Sequence, residues 1–344
     1  MDNAQLSVAV WRPMESWQTE DKAVELRMQV YARGARNAVT GLVVSLVLAA
    51  VLVAFLRTVS AFGVVFGLNA IRLAVAGIRH QVRYSRWLPA ARSLLNGTPA
   101  QRLAARIVAY KGERVVLAVG AMHLQVRPVN WGLRQVIART GEITVVGPDA
   151  DGQAVVFLDG VPTPLPAKVV AAPEPTEAEP VVPVSVNGAE DQVPNWAARR
   201  IAWLNWIPLA VALVVLAGFI ALAPNSQVAV FYASGFGVLL LVVAILFLFV
   251  PSDQLRLRKL LAAGQWQAHP VTIESWKGEV RRPVGELTLV LASGYRLSIK
   301  FATTELVANI SATGTLWMVG LPGDRKGAAV GIPGYPILTA ARFA

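Results

Sequence analysis

Residues 201–252 read IAWLNWIPLAVALVVLAGFIALAPNSQVAVFYASGFGVLLLVVAILFLFVPS, and none of these fifty-two positions carries a charge. A helix needs ~20 apolar residues to cross a hydrocarbon core of ~30 Å, so the run accommodates two crossings and a turn. Pro224, Asn225, Ser226 and Gln227 supply the turn, because Pro and Asn interrupt helices and favour reversals. Two spans are predicted near 203–223 and 228–250, with Trp196, Trp203 and Trp206 at headgroup level.

The first half of the chain carries a weaker version of the same signal. Ala38–Leu56 is uncharged over nineteen residues and is closed by Arg57. Thr58–Ile71 follows, is interrupted by Arg72, and continues from Leu73 to Ile78. The expected fold is an α+β membrane protein with four transmembrane helices in two hairpins, 38–78 and 199–250. Each hairpin is followed by a small, mostly β domain, 79–161 and 251–344, and residues 1–37 form an N-terminal segment. Residues 1–37 are polar and lack an apolar region at their start, so no cleavable signal peptide is expected.

The formal net charge is +11, and only 15% of residues are charged, against about 25% in soluble domains. Arg79, Arg83, Arg86 and Arg92 follow the first hairpin, Arg199 and Arg200 precede the second, and Arg256, Arg258 and Lys259 follow it. The positive-inside rule then places the N-terminus, both β domains and the linker in the cytoplasm, in a multi-pass protein of a bacterial inner membrane. Heavy use of Ala, Val, Arg and Pro agrees with a GC-rich bacterial source. The chain has no cysteine, which excludes disulfides, thiol catalysis and cysteine-ligated metals.

The chain reads as a parallel internal duplication. Residues 94–113 match 260–279 at a shift of 166, with Lys111-Gly112-Glu113 over Lys277-Gly278-Glu279. After seven extra residues around 280–286 the shift becomes 173, and Thr140-Gly141 falls over Thr313-Gly314. One residue further in shift, Gly160-Val161-Pro162 lies over Gly334-Tyr335-Pro336. Alternating apolar residues, as in Val115–Val119 and Tyr295–Lys300, predict strands, with short helical turns at Trp131–Arg139 and Thr304–Ser311. Four or five strands per copy suggest an SH3-like or OB-like domain. Residues 162–198 are rich in Pro and Glu and read as an extended linker, whose net charge from 161 to 198 is −4 against +6 over 79–160.

Few residues suggest chemistry. Asn69 and Arg72 share a face of the second predicted span, where intramembrane polar groups invite a functional reading. Gly63 and Gly67 form a GxxxG suited to close helix packing. Arg79, Arg83 and Arg86, with Arg256, Arg258 and Lys259, are placed to meet anionic headgroups of a lipid bilayer. The three histidines, His80, His123 and His269, form no ligand pattern, and no nucleophile, phosphate-loop or paired-carboxylate motif occurs. No cofactor is expected. The scattered Trp131, Trp276 and Trp317 do not interleave with basic residues as a nucleic-acid surface requires. The expected function is a non-catalytic scaffold or docking protein presenting paired β domains to a protein partner or to another copy of itself. The alternative is an oligomeric component of a transporter or channel.

Overall fold

The computed structural model describes residues 8–13, 22–56, 61–177, 179–203, 252–278, 284–320 and 327–343. Two compact units divide the chain: 1–31 with 84–199 and 253–344, and 32–83 with 200–252. Helix α1 (Lys22–Leu56) and helix α2 (Ala61–Tyr84) each run from one unit into the other.

The first unit holds two closed antiparallel barrels of six strands each. After helix α3 (Trp87–Gly97), strands β1 (Ala100–Lys111), β2 (Arg114–Val119) and β3 (Met122–Val126) form a meander. Helix α4 (Trp131–Thr140) leads into β4 (Glu142–Val146), β5 (Gln153–Leu158) and β6 (Val161–Val170). The strand order is β1-β2-β3-β6-β5-β4, and β4 closes on β1. The second barrel repeats this plan with β7 (Trp266–Gly278), β8 (Val284–Leu291), β9 (Arg296–Thr303), helix α5 (Thr304–Thr313), β10 (Thr315–Val319), β11 (Gly327–Gly331) and β12 (Leu338–Phe343).

Period-two patterning builds the interiors. Along β8, Leu287, Leu289 and Leu291 are buried and Thr288 and Val290 between them are half-buried. The repeat extends to the helix caps. Asn130 accepts the Leu133 N–H at 3.1 Å, Thr303 accepts the Leu306 N–H at 3.3 Å, and Gly141 and Gly314 both end their helices at φ 64°. One cluster of buried apolar residues runs through both barrels. A second cluster, including Trp11, Val24, Met28, Trp87 and Phe157, fixes the start of α1 and helix α3 against strand β5. There the Trp87 indole donates to the Ala154 carbonyl at 2.8 Å.

Several expectations are corrected. The four-span fold does not hold: among the described residues no helix is long and apolar enough to cross a membrane. Ala38–Leu56 is no separate element. It is the second part of a 35-residue helix whose first part carries Glu25, Arg27, Arg33 and Arg36. Arg72, Arg79 and Arg83 punctuate α2. The spans expected near 203–223 and 228–250, and the turn at 224–227, lie outside the described residues apart from Trp203. The multi-pass character, the inner-membrane localisation and the cytoplasmic placement of the N-terminus and both β domains were read from those spans and are withdrawn with them. Each β domain has six strands rather than four or five. Residues 161–170, expected mostly as linker, form strand β6. Its prolines 162, 164 and 166 alternate, and the Pro166 carbonyl points at the Arg127 N–H, 3.1 Å away. The N–H and C=O of one strand residue face the same way, so the donor that Pro166 lacks falls on the β3 side, although Pro166 itself sits opposite Val155 of β5.

In the second unit, α1 and α2 cross at small residues. A Cβ placed on Gly34 would lie 2.3 Å from the His80 ring, one on Gly41 would lie 3.1 Å from Leu73, and one on Gly77 would lie 3.2 Å from Ala38. The pairs run in opposite directions along the chain, so the helices are antiparallel, and Gly34, Ala38 and Gly41 make one stripe at helical spacing. Val39, Val43, Val47 and Val51 on α1, with Ile71, Ile78 and Val82 on α2, are exposed among the described residues.

Candidate functional site

The first barrel carries a groove between β1 and α4, and the chain's own linker lies in it. The β1–β2 ladder slips between Ile107 and Ala109, so Val108 bulges. Its carbonyl accepts the Thr176 N–H at 3.0 Å. Arg134 on α4 lies over the Tyr110 ring, 4.5 Å from its centroid, and forks onto Glu179 at 2.8 and 3.3 Å. Gln135, beside it, is 1% exposed. Its Nε2 donates to the Pro180 carbonyl at 3.1 Å, and its Oε1 accepts the Val182 N–H at 2.9 Å. A carbonyl and an N–H two residues apart are what a neighbouring β-strand would read, and here one side chain reads both. A cavity of about 300 Å³ remains beneath this strap, lined in part by Ile107, Ala138 and Val181.

The second barrel uses its helix in a related way. Asn309 on α5 is 4% exposed. Its Oδ1 accepts the Trp11 N–H at 2.8 Å, and its Nδ2 donates to the carbonyls of Gly160 and Glu305, each at 2.7 Å. Gly160 in turn donates its N–H to the Trp11 carbonyl at 2.8 Å. The extended segment 8–13 is thus held between α5 and the β5–β6 turn.

The two barrels meet reciprocally. Asn309 of the second barrel reads the Gly160 carbonyl in the β5–β6 turn of the first. Arg139 of the first barrel donates to the Gly334 carbonyl at 3.1 Å, in the corresponding turn of the second, and lies over the Tyr335 ring. Gly160 sits at φ 75° with the Tyr335 ring 2.8 Å from where a Cβ would stand, so any side chain there collides.

A buried carboxylate, Asp191, and a half-buried one, Glu305, flank this joint. Asp191 is fully buried and accepts the Gly334 N–H at 2.8 Å. Burial pushes its carboxyl up to about 6, against the opposing pull of that N–H and of Arg139. Burial would likewise raise Glu305, but the Arg27 guanidinium and the Thr163 hydroxyl outweigh it and hold the carboxyl below its ordinary value. Near Glu305, Tyr31 donates to the Pro164 carbonyl at 3.2 Å, and burial pushes its phenol up.

None of the residues singled out from the sequence lies in this groove. Arg72, Arg79, Arg86, Arg256, Arg258 and Lys259 are exposed, and Arg83 is half-buried. Gly63, Gly67 and Asn69 fall in α2, and their side chains lie outside the described residues. The glycines seen in close helix contact are Gly34, Gly41 and Gly77 instead. Among the described residues no group of three His, Cys, Asp or Glu is arranged to hold a metal ion. Gln135, Asn309, Arg134 and Asp191 carried no motif. The one available signal was the acidic linker lying beside a basic domain. No protein-family model matches the chain, and neither the curated proteins nor the solved structures yield a match to it.

Proposed function

We propose that this chain is a non-catalytic docking protein whose paired barrels hold extended polypeptide segments. The observation that carries this reading is the grip of Gln135, which pairs with both a carbonyl and an N–H of the strap from a 1%-exposed position. Strand-like reading of backbone, with one charged side chain fixing register, is a recurring basis of peptide recognition. Asn309 and the segment around Trp11 repeat the theme on the second barrel. The Arg134 fork adds selectivity for an acidic residue at one position.

Affinity capture on the full chain and on an Arg134→Ala/Gln135→Ala variant tests the reading. A reproducible set of partners held by the parent and lost by the variant is expected. Identical sets, or none from either, would sink it.

A further inference from the structure

We propose that the α4–β1 groove is a binding site for an acidic, proline-containing segment of a partner protein, and that residues 176–177 and 179–182 are its resident competitor. This rests on the docking reading above and names the class of partner. The groove reads little of the strap's identity. Thr176, Pro180 and Val182 are engaged through backbone atoms, and Glu179 alone through its side chain. Any extended segment qualifies that offers a carboxylate, a carbonyl one residue on and a free N–H three residues on. Proline is allowed at the carbonyl position, as Pro180 shows, and forbidden at the N–H position. Tyr110 and Arg134 form the charge-selective end, and the bulged Val108 carbonyl forms the other.

The strap does not fill what it covers. A cavity of about 300 Å³ stays open beneath it, and Thr176, Glu177, Pro180 and Val181 remain exposed. Larger apolar side chains than those of the strap could occupy that space against Ile107 and Ala138. A tethered segment acts at an effective concentration on the order of mM, so it masks the groove from weak ligands and yields to a better-fitting one.

The test is titration of a labelled synthetic peptide copying residues 173–184 into the full chain. It is compared with a Glu179→Lys/Val182→Pro chain, whose own strap lacks the carboxylate and the N–H. Binding at least tenfold tighter to the strap-weakened chain is expected. Binding should be lost when the peptide's glutamate at the 179 position is replaced by lysine, and regained when that lysine peptide meets an Arg134→Glu chain. A Glu179→Gln chain gives the intermediate case should the double variant fold poorly, which unfolding curves would reveal. Equal affinity for parent and strap-weakened chains, no binding to either, or no effect of the charge swap overturns the proposal. The broader docking reading would then still stand or fall on the capture experiment.

Discussion

Gln135 and Asn309 lie one residue apart when the two barrels are laid over each other at the 173-residue shift, and each takes a backbone N–H from an extended segment of the chain. Both are buried on the helix that joins the third and fourth strands of its barrel. The helix is therefore the gripping element in both copies, although the segment gripped is the linker in one and the N-terminal stretch in the other.

Gln135→Ala should free the strap while leaving the barrel folded. It removes two hydrogen bonds and leaves a carbonyl and an N–H without their partner, at a cost of about 1–3 kcal/mol. Cleavage by a glutamate-specific protease after Glu177, the one glutamate of 174–179 not followed by proline, should quicken before global unfolding in urea shifts appreciably. Unchanged cleavage would show that the amide does not hold the strap.

Asn309→Ala should be the more damaging of the pair. Three hydrogen bonds go together, and one of them ties the second barrel to the first. A loss of about 2–4 kcal/mol is expected from unsatisfied buried groups, read as a lower urea midpoint. A variant within experimental error of the parent would remove Asn309 from the joint.

Arg27→Met isolates a buried carboxylate. Glu305 would keep its charge without its guanidinium, which costs about 3–5 kcal/mol. Arg27→Met/Glu305→Gln should recover most of that loss, because no unpaired charge remains. Since Glu305 is held below its ordinary value, its contribution is present above about pH 4.5 and is lost as the pH falls through its lowered folded value. The Arg27→Met chain should therefore differ most from the parent near neutrality and converge with it in acid.

Asp191 produces the opposite slope. Between its ordinary 3.8 and about 6 the folded chain keeps a proton that the unfolded chain has released. Stability from this group thus falls as the pH rises through that window, by up to about 3 kcal/mol, and is level above it. Asp191→Asn should flatten that part of the profile and should not weaken the fold at pH 7. Urea midpoints of parent and variant across the window measure the difference directly.

Gly34→Leu should disturb the second unit alone. A side chain there meets the His80 ring at 2.3 Å from its first carbon, an overlap relieved by displacing that ring or by parting α1 from α2, and a side chain as large as Leu requires the second. Faster hydrogen exchange in 32–56 and 61–83, with the barrel amides unchanged, is the expected readout.

Strands were legible wherever alternation was strict, as from Leu287 to Leu291. The duplication was legible through Gly and Pro, because Gly160 and Gly334 both stand in turns at positive φ that few other residues can adopt. Strand β6 escaped notice because three prolines in five residues resemble a linker until the hydrogen-bonding edge is known. The charge-free runs misled the fold reading. Absence of charge says that water is a poor neighbour and leaves open what takes its place. Gln135 was invisible for a related reason: a polar residue on a surface helix normally faces solvent, whereas this one is buried and bonded to the strap. The strap's own destination was hinted at by a −4 segment following a +6 domain, but net charge carries no register.

The reciprocal joint has a consequence for ancestry. Each barrel offers a helix to the other's glycine turn, which is how two identical single-barrel chains would associate about a two-fold axis. Within one polypeptide the two halves need not carry the same residues at that contact. Arg139 now stands where the second copy has Ala312, and Asn309 stands where the first has Val136. One two-fold plan is thus met by two chemically different contacts, so neither barrel, cut loose, would find in its own copy the neighbour it has now.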